Sequence, residues 1–221
     1  MKNQVLVLLT LVISLTIPGW GQTPIPNNGF EEWNTFPNYE DPVGWDTPNE
    51  ELSSIPFYGT TVVTKSTDYF SGSYSARLES KEMVLVGGVP GFMTLGKLTI
   101  NVSTFSFDIT GGVPIDDMPT HLVGYYKFFP KGGDSCAIGI GLFRTYDSIP
   151  VEVGVGHFSA KDSVPDWTFF SAWIHYDSLV QPDTMNIIVL SSAMQSPTPG
   201  TVLFVDDFSL DYSVGINHND P

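Results

Sequence analysis

The chain of 221 residues has one cysteine, only nine lysines and arginines together, and 15% charged residues. A lone thiol, Cys136, cannot close an internal disulfide, and without a second cysteine there is no C-x-x-C site for metal or redox chemistry. Nine basic residues against 24 acidic ones leave a net charge of −15. That balance argues against nucleic acid and anionic membrane surfaces as partners. Beyond residue 22 no stretch sustains apolar residues at i, i+3, i+4 and i+7, so coiled coils and helical repeats are out. The sequence also lacks G-x-S-x-G, H-E-x-x-H and a phosphate-binding glycine loop. Its four histidines, His121, His157, His175 and His218, are scattered without ligand spacing.

One long apolar run is present, at residues 5–17, preceded by Lys2 and ended by Pro18 and Gly19. A basic start, a short apolar segment, a breaker and small residues at Gly19 and Gly21 predict a secretory signal peptide over residues 1–21. The run is short for a bilayer span, so no membrane insertion is expected after cleavage before Gln22.

What remains is 42% hydrophobic and 13% aromatic, punctuated by 17 prolines and 21 glycines. Two-residue alternation recurs between these breaks. It predicts strands at 60–65, 73–80, 83–86, 104–109, 121–129, 136–145, 151–158, 167–176, 185–191 and 201–212. Tyr74, Ala76 and Leu78 share one face, as do Phe105, Phe107 and Ile109. Prolines at 114, 119, 130, 150, 165, 182, 197 and 199 fall between most of the runs, where no ladder donor is needed. About ten short strands with no confident helix predict one all-β domain over 22–212, an antiparallel β-sandwich of jelly-roll type, followed by a polar tail at 213–221.

Four segments carry a resemblance. They are Asn27-Asn28-Gly29-Phe30-Glu31, Pro42-Val43-Gly44-Trp45, Ser71-Gly72-Ser73-Tyr74-Ser75-Ala76-Arg77-Leu78 and Val205-Asp206-Asp207-Phe208-Ser209-Leu210. In this order they resemble the jelly-roll carbohydrate-binding modules. Together with His121-Leu122-Val123-Gly124-Tyr125-Tyr126-Lys127-Phe128 they resemble the secreted bacterial family named "putative carbohydrate metabolism domain", over roughly residues 25–212. The resemblance implies a structural calcium held by Glu31, Asp206 and backbone near Gly72 and Tyr74. Calcium takes six to eight oxygen ligands, which carboxylates and carbonyls supply. The other reading of Asp206 is a loop cap or an acceptor of backbone N–H groups. Val214-Gly215-Ile216-Asn217 resembles the linker before a type IX secretion sorting domain. Four D-[S/T]-apolar triplets, beginning at Asp147, Asp162, Asp177 and Asp183, resemble an O-glycosylation signal found with that system and also read as ordinary turns.

The residues themselves offer one candidate surface. On the 136–145 strand, Cys136, Ile138, Ile140 and Leu142 make an apolar face, while Ala137, Gly139 and Gly141 leave the other nearly bare. Glycine inside a strand often admits a ligand or another backbone. A floor of Gly139 and Gly141 beside Tyr125, Lys127, Trp173 and His175 would form a shallow groove whose aromatic rings could stack on a glycan. The opposing reading makes Trp173 core and the glycines the seat of a covering loop. Trp33 and Trp45 read as packing anchors. Adjacent carboxylates such as Glu31-Glu32, Glu50-Glu51, Asp116-Asp117 and Asp206-Asp207 point to opposite faces of a strand, so none is a glycosidase pair. The leading expectation is a secreted, non-catalytic glycan-binding module. A glycoside hydrolase and a structural or adhesion module are the alternatives.

Overall fold

The computed structural model describes residues 23–55, 59–83, 87–101, 106–193 and 197–212. The expected leader and tail lie outside these, as do residues 84–86 and 104–105 of two expected strands. In chain order the elements are β1 Trp33–Thr35, β2 Glu40–Pro42, α1 Asn49–Ser53, β3 Val63–Ser66, β4 Ser75–Glu79, β5 Lys81–Met83, β6 Gly87–Val89, β7 Phe92–Thr94 and β8 Lys97–Asn101. They continue as β9 Ser106–Thr110, β10 Val113–Pro114, β11 His121–Phe129, β12 Cys136–Tyr146, β13 Ile149–Ala160, β14 Val164–Tyr176, β15 Thr184–Leu190 and β16 Val202–Asp211.

Ten strands pair antiparallel in the order β10-β15-β12-β13-β14-β11-β16-β4-β3, with β7 beside β15. The turning point is β14. Its residues 164–173 pair with β11, from Phe128↔Val164 to His121↔Trp173. Its last three pair with β13, from Gly154↔Tyr176 to Gly156↔Ile174. The ladder curls about this shared strand into the two layers of an antiparallel β-sandwich.

Alternation explains which residues line the interior. Leu122, Tyr126 and Phe128 of β11 and Cys136, Ile138, Ile140 and Leu142 of β12 are buried, as are Phe170, Ala172 and Ile174 of β14. Rings join the layers: Phe170 meets Phe158 at 5.3 Å and Phe208 at 5.5 Å between centroids. Phe30 and Trp45 close on Phe208 at 5.5 and 6.0 Å, tying the start of the domain to its last strand. Trp45 donates its indole N–H to the Pro26 carbonyl, and Trp33 donates to the Phe30 carbonyl. Both tryptophans are packing anchors. Gly124 lies beneath this cluster; a Cβ there would come within 2.6 Å of the Phe208 ring and 2.9 Å of the Phe170 ring.

Two parities differ from simple alternation. The register slips between Val123↔Ser209 and Tyr125↔Asp206, and Asp207 takes φ 53°. This bulge inserts one residue, so Phe208 turns into the core while Phe204 stays on the outer side with Asp206. Asp206 and Phe208 therefore do not share a face. Phe107 is 69% exposed on the β8–β9 hairpin rather than buried, because among the described residues that hairpin pairs only with itself.

Cys136 is fully buried, and burial pushes its thiol up to about 12. A thiol held in its neutral form is a poor nucleophile. Thiol reagents at pH 8 are therefore expected to leave native protein unlabelled and to label it fully in denaturant, read by mass spectrometry. Rapid labelling of native protein would contradict this burial.

Candidate functional site

The outer face of β14 is a ribbon of rings. Trp167, Phe169, Ser171, Trp173 and His175 alternate with the buried Phe170, Ala172 and Ile174. Phe169 is 54% exposed and Trp173 61%. At about 3.3 Å per residue the ribbon runs on the order of 26 Å. Neighbouring strands widen it. β11 presents His121, Val123, Tyr125, Lys127 and Phe129 outward, and β16 adds Phe204.

At the β16 side a loop between β3 and β4 folds over this face. Phe70 from the loop stacks on Tyr125, with centroids 3.4 Å apart and planes at 12°. Tyr125 in turn meets Phe169 edge-on at 5.7 Å. Asp68 from the same loop accepts from Lys127 Nζ at 2.7 Å and from Trp167 Nε1 at 3.1 Å. The Lys127 ammonium lies 5.7 Å from the Trp167 ring centre and 6.0 Å from that of Phe204. Apolar rings, one carboxylate and one ammonium thus share a surface that is partly open to solvent.

Two carboxylates hold this loop. Asp206 Oδ2 accepts the N–H of Phe70 at 2.8 Å and of Ser71 at 3.1 Å, and its Oδ1 accepts the N–H of Asp207. Glu31 Oε1 accepts the N–H of Ser73 at 2.8 Å and of Tyr74 at 3.1 Å. Gly72 has φ 72°, and a Cβ there would strike the Glu31 carboxylate, so the turn requires glycine. The two ends of the domain meet as expected, with Asp206 Oδ1 and Glu31 Cγ about equally close to Gly29. Desolvation by burial pushes the Asp206 carboxyl up to about 6, opposed by the N–H bonds it accepts. Among the described residues no group of three or more His, Cys, Asp or Glu is placed to hold a metal ion.

The residues singled out in the sequence divide into two sets. Tyr125 and Lys127 lie on the ring ribbon, on the same β11–β14 ladder as Trp173. Gly139 and Gly141 lie on β12, whose neighbours are β13 and β15, so β13 and β14 separate them from Tyr125. They connect instead to His175, through the row Gly141↔Val155 and Val155↔His175. The Phe143 ring lies over Gly141, 2.9 Å from where a Cβ would stand, while Gly139 meets only the Gly156 carbonyl at 3.8 Å. Trp173 faces away from Ile138 and Ile140, which are buried.

Two histidines flank Trp173 although they are scattered in sequence. His121 pairs directly with Trp173, and the His175 ring lies 5.4 Å from it. The β13–β14 ladder ends at Gly156↔Ile174, one residue before His157. Sequence reasoning missed Asp68, Phe70 and Phe169. Phe169 shares the parity of Trp167 and Trp173, a signal that was available. Asp68 and Phe70 sit in a turn segment with no period, and only the pair Tyr69-Phe70 amid turn formers hinted at exposed rings.

No family model matches the chain, and no curated protein matches it. Two solved structures share its fold, and each carries the name "putative glycoside hydrolase". One, from Bacteroides thetaiotaomicron VPI-5482, superposes at TM-score 0.68 with 18% identity over 84% of this chain and 70% of its own. The other, from Bacteroides vulgatus ATCC 8482, gives 0.64 and 17% over 84% and 97%. A carbohydrate-binding module specific for non-crystalline cellulose superposes at 0.47 with 13% identity, over 86% and 95%. At these identities the likeness concerns the fold.

Proposed function

We propose that this chain is a glycan-directed β-sandwich module that binds an extended polysaccharide without cleaving it. The observation that carries this reading is the ribbon on β14, where Phe169 and Trp173 stand more than half exposed in line with Trp167 and His175. Exposed rings in a row with polar neighbours mark an interaction surface rather than misplaced core. Tyr125 and Lys127 belong to this surface, and Gly139, Gly141 and His175 extend it toward β12. The leader at 1–21 would export the protein to the cell surface or beyond. The Val214 to Asn217 segment fits type IX secretion.

A calcium ion belongs to the same proposal as a structural element. Glu31 and Asp206 would hold it through the lone pairs that the four loop N–H groups and the N–H of Asp207 leave over, and it would add charge compensation where the domain's ends meet. Chelation should then lower the melting temperature of the wild type and leave Asp206→Asn unchanged. Identical wild-type curves with and without chelator would leave the amide protons as the only partners of these carboxylates.

A second reading, a glycoside hydrolase, draws on the names of the two similar folds. It needs two carboxyl groups flanking a cleft. On the ribbon, Asp68 is engaged by Lys127 and Trp167, and Asp206 by the loop amides. That engagement supports binding over hydrolysis.

A glycan array with the domain, with and without calcium, tests the proposal. Trp173→Ala should weaken any polysaccharide found by roughly tenfold, since losing one stacking ring costs about 1–3 kcal/mol. The melting temperature should move by no more than about 2 °C, because the ring is exposed. Release of reducing sugar from the bound polymer would favour the hydrolase instead.

A further inference from the structure

We propose that the ribbon selects uncharged polysaccharide, and that Asp68 sets this selection by neutralising Lys127, the basic residue at its Trp167 end. The inference rests on the glycan reading above and names the class of ligand. Of the nine basic residues, eight lie among the described residues, and six of these stand within 4 Å of a carboxylate. These are Lys65 with Glu40, Arg77 and Lys81 with Glu79, Lys97 with Asp46, Lys127 with Asp68, and Arg144 with Asp183. Lys131 and Lys161 sit in connections outside the strands. Across the β14–β11–β16 face itself, Lys127 is the cation, and β16 contributes Asp206 and Asp211 in register with Tyr125 and His121.

The order of exposure decides what a ligand meets. The Lys127 side chain is 14% exposed and that of Asp68 48%. The ammonium is therefore sunk between the Trp167 and Phe204 rings, and the carboxylate stands outermost over it. A carboxylate has about four acceptor positions, and Lys127 and Trp167 use two. The rest can accept hydroxyl protons from a neutral sugar stacked on Trp167 or Phe169. A uronate or sulfate group would instead face Asp68 on a chain that already carries −15, and like charges in contact are repelled.

Removing the carboxylate should reverse the selection. Binding of wild type, Asp68→Ala and Asp68→Asn to polygalacturonate and to neutral polymers (hydroxyethyl cellulose, arabinoxylan, galactomannan) would be measured by affinity electrophoresis and calorimetry. Wild type should bind a neutral polymer and not polygalacturonate. Both variants should bind polygalacturonate at least about fivefold more tightly than wild type in roughly 10 mM salt, and lose the gain near 0.5 M, as expected for one exposed ion pair. Lys127→Met added to Asp68→Ala should abolish the gain. Near-ultraviolet circular dichroism checks folding, and Asp68→Asn keeps the acceptor shape should the alanine variant misfold.

Polygalacturonate binding by wild type at neutral-polymer strength overturns the proposal, as do folded variants that gain nothing. If wild type binds no neutral polymer, the glycan reading fails. The variants' response to polygalacturonate still reports on Asp68 separately.

Discussion

Phe208→Ala should lower the midpoint of thermal unfolding by roughly 6–20 °C. The ring is fully buried and touches Phe30, Trp45 and Phe170 edge-on or nearly so. Truncating such a ring costs about 3–5 kcal/mol, from lost transfer free energy and from the cavity left behind. For a domain near 200 residues each kcal/mol shifts the midpoint by about 2–4 °C. The neighbours are poorly able to collapse into the gap, because Phe170 is fixed from the other layer by Phe158. Phe208→Leu conserves most of the volume and should cost less than about 1.5 kcal/mol. Differential scanning calorimetry of both variants checks the pair. A loss below about 1 kcal/mol in the alanine variant would mean that the two layers are joined elsewhere.

Asp206→Ala is expected to free the loop that carries Asp68 and Phe70. The N–H groups of Phe70, Ser71 and Asp207 would lose their acceptor. Each buried donor left unmatched costs about 1–3 kcal/mol. Water entering at the loop edge would offset part of that, leaving a loss of about 2–3 kcal/mol. With the loop released, Phe70 leaves Tyr125, and amide exchange at residues 70–74 should rise well above wild type. Unchanged exchange there would place the hold on the loop elsewhere.

The same carboxyl predicts the sign of a pH effect. Its native value of about 6, set chiefly by desolvation, lies above the ordinary aspartate value near 3.9. Between these values the folded state holds a proton that the unfolded chain has released. Stability from this group is therefore fully present below about pH 4 and is lost as pH rises through 6. The melting temperature of wild type relative to Asp206→Asn should increase as pH falls from 7 to 4.5. A constant difference would show that the three N–H bonds cancel desolvation, and one that shrinks would show that they outweigh it.

Local chemistry settled a good deal in advance. The alternation of Leu122, Tyr126 and Phe128 with Tyr125 and Lys127 marks a strand over 121–129, and β11 spans those residues. The apolar set from Cys136 to Leu142 faces the core, and Trp173 faces out, because the side-chain period of a strand is two and needs no partner to be read. Simple alternation, which would set Phe204, Asp206 and Phe208 on one face, fails at Asp206. A single bulge residue with positive φ changes parity, and Asp207 carries no mark that separates it from an ordinary strand residue. Alternation falls short again at Phe107, where it predicts a face but not whether anything covers it.

By itself, then, the sequence determined strand-rich architecture, a lone thiol without a disulfide partner, a strongly acidic net charge, and the outward side of β11 and β14. Only the tertiary structure decided which strands lie side by side. It set β13 and β14 between Gly139 and Tyr125, and brought His121 and His175 to Trp173. It also laid the Asp68 and Phe70 loop over the ribbon, 59 residues from Lys127 in sequence and in direct contact with it. Those placements come from pairing between distant segments, whose free energy is the sum of many burials and hydrogen bonds, and no local period records that sum.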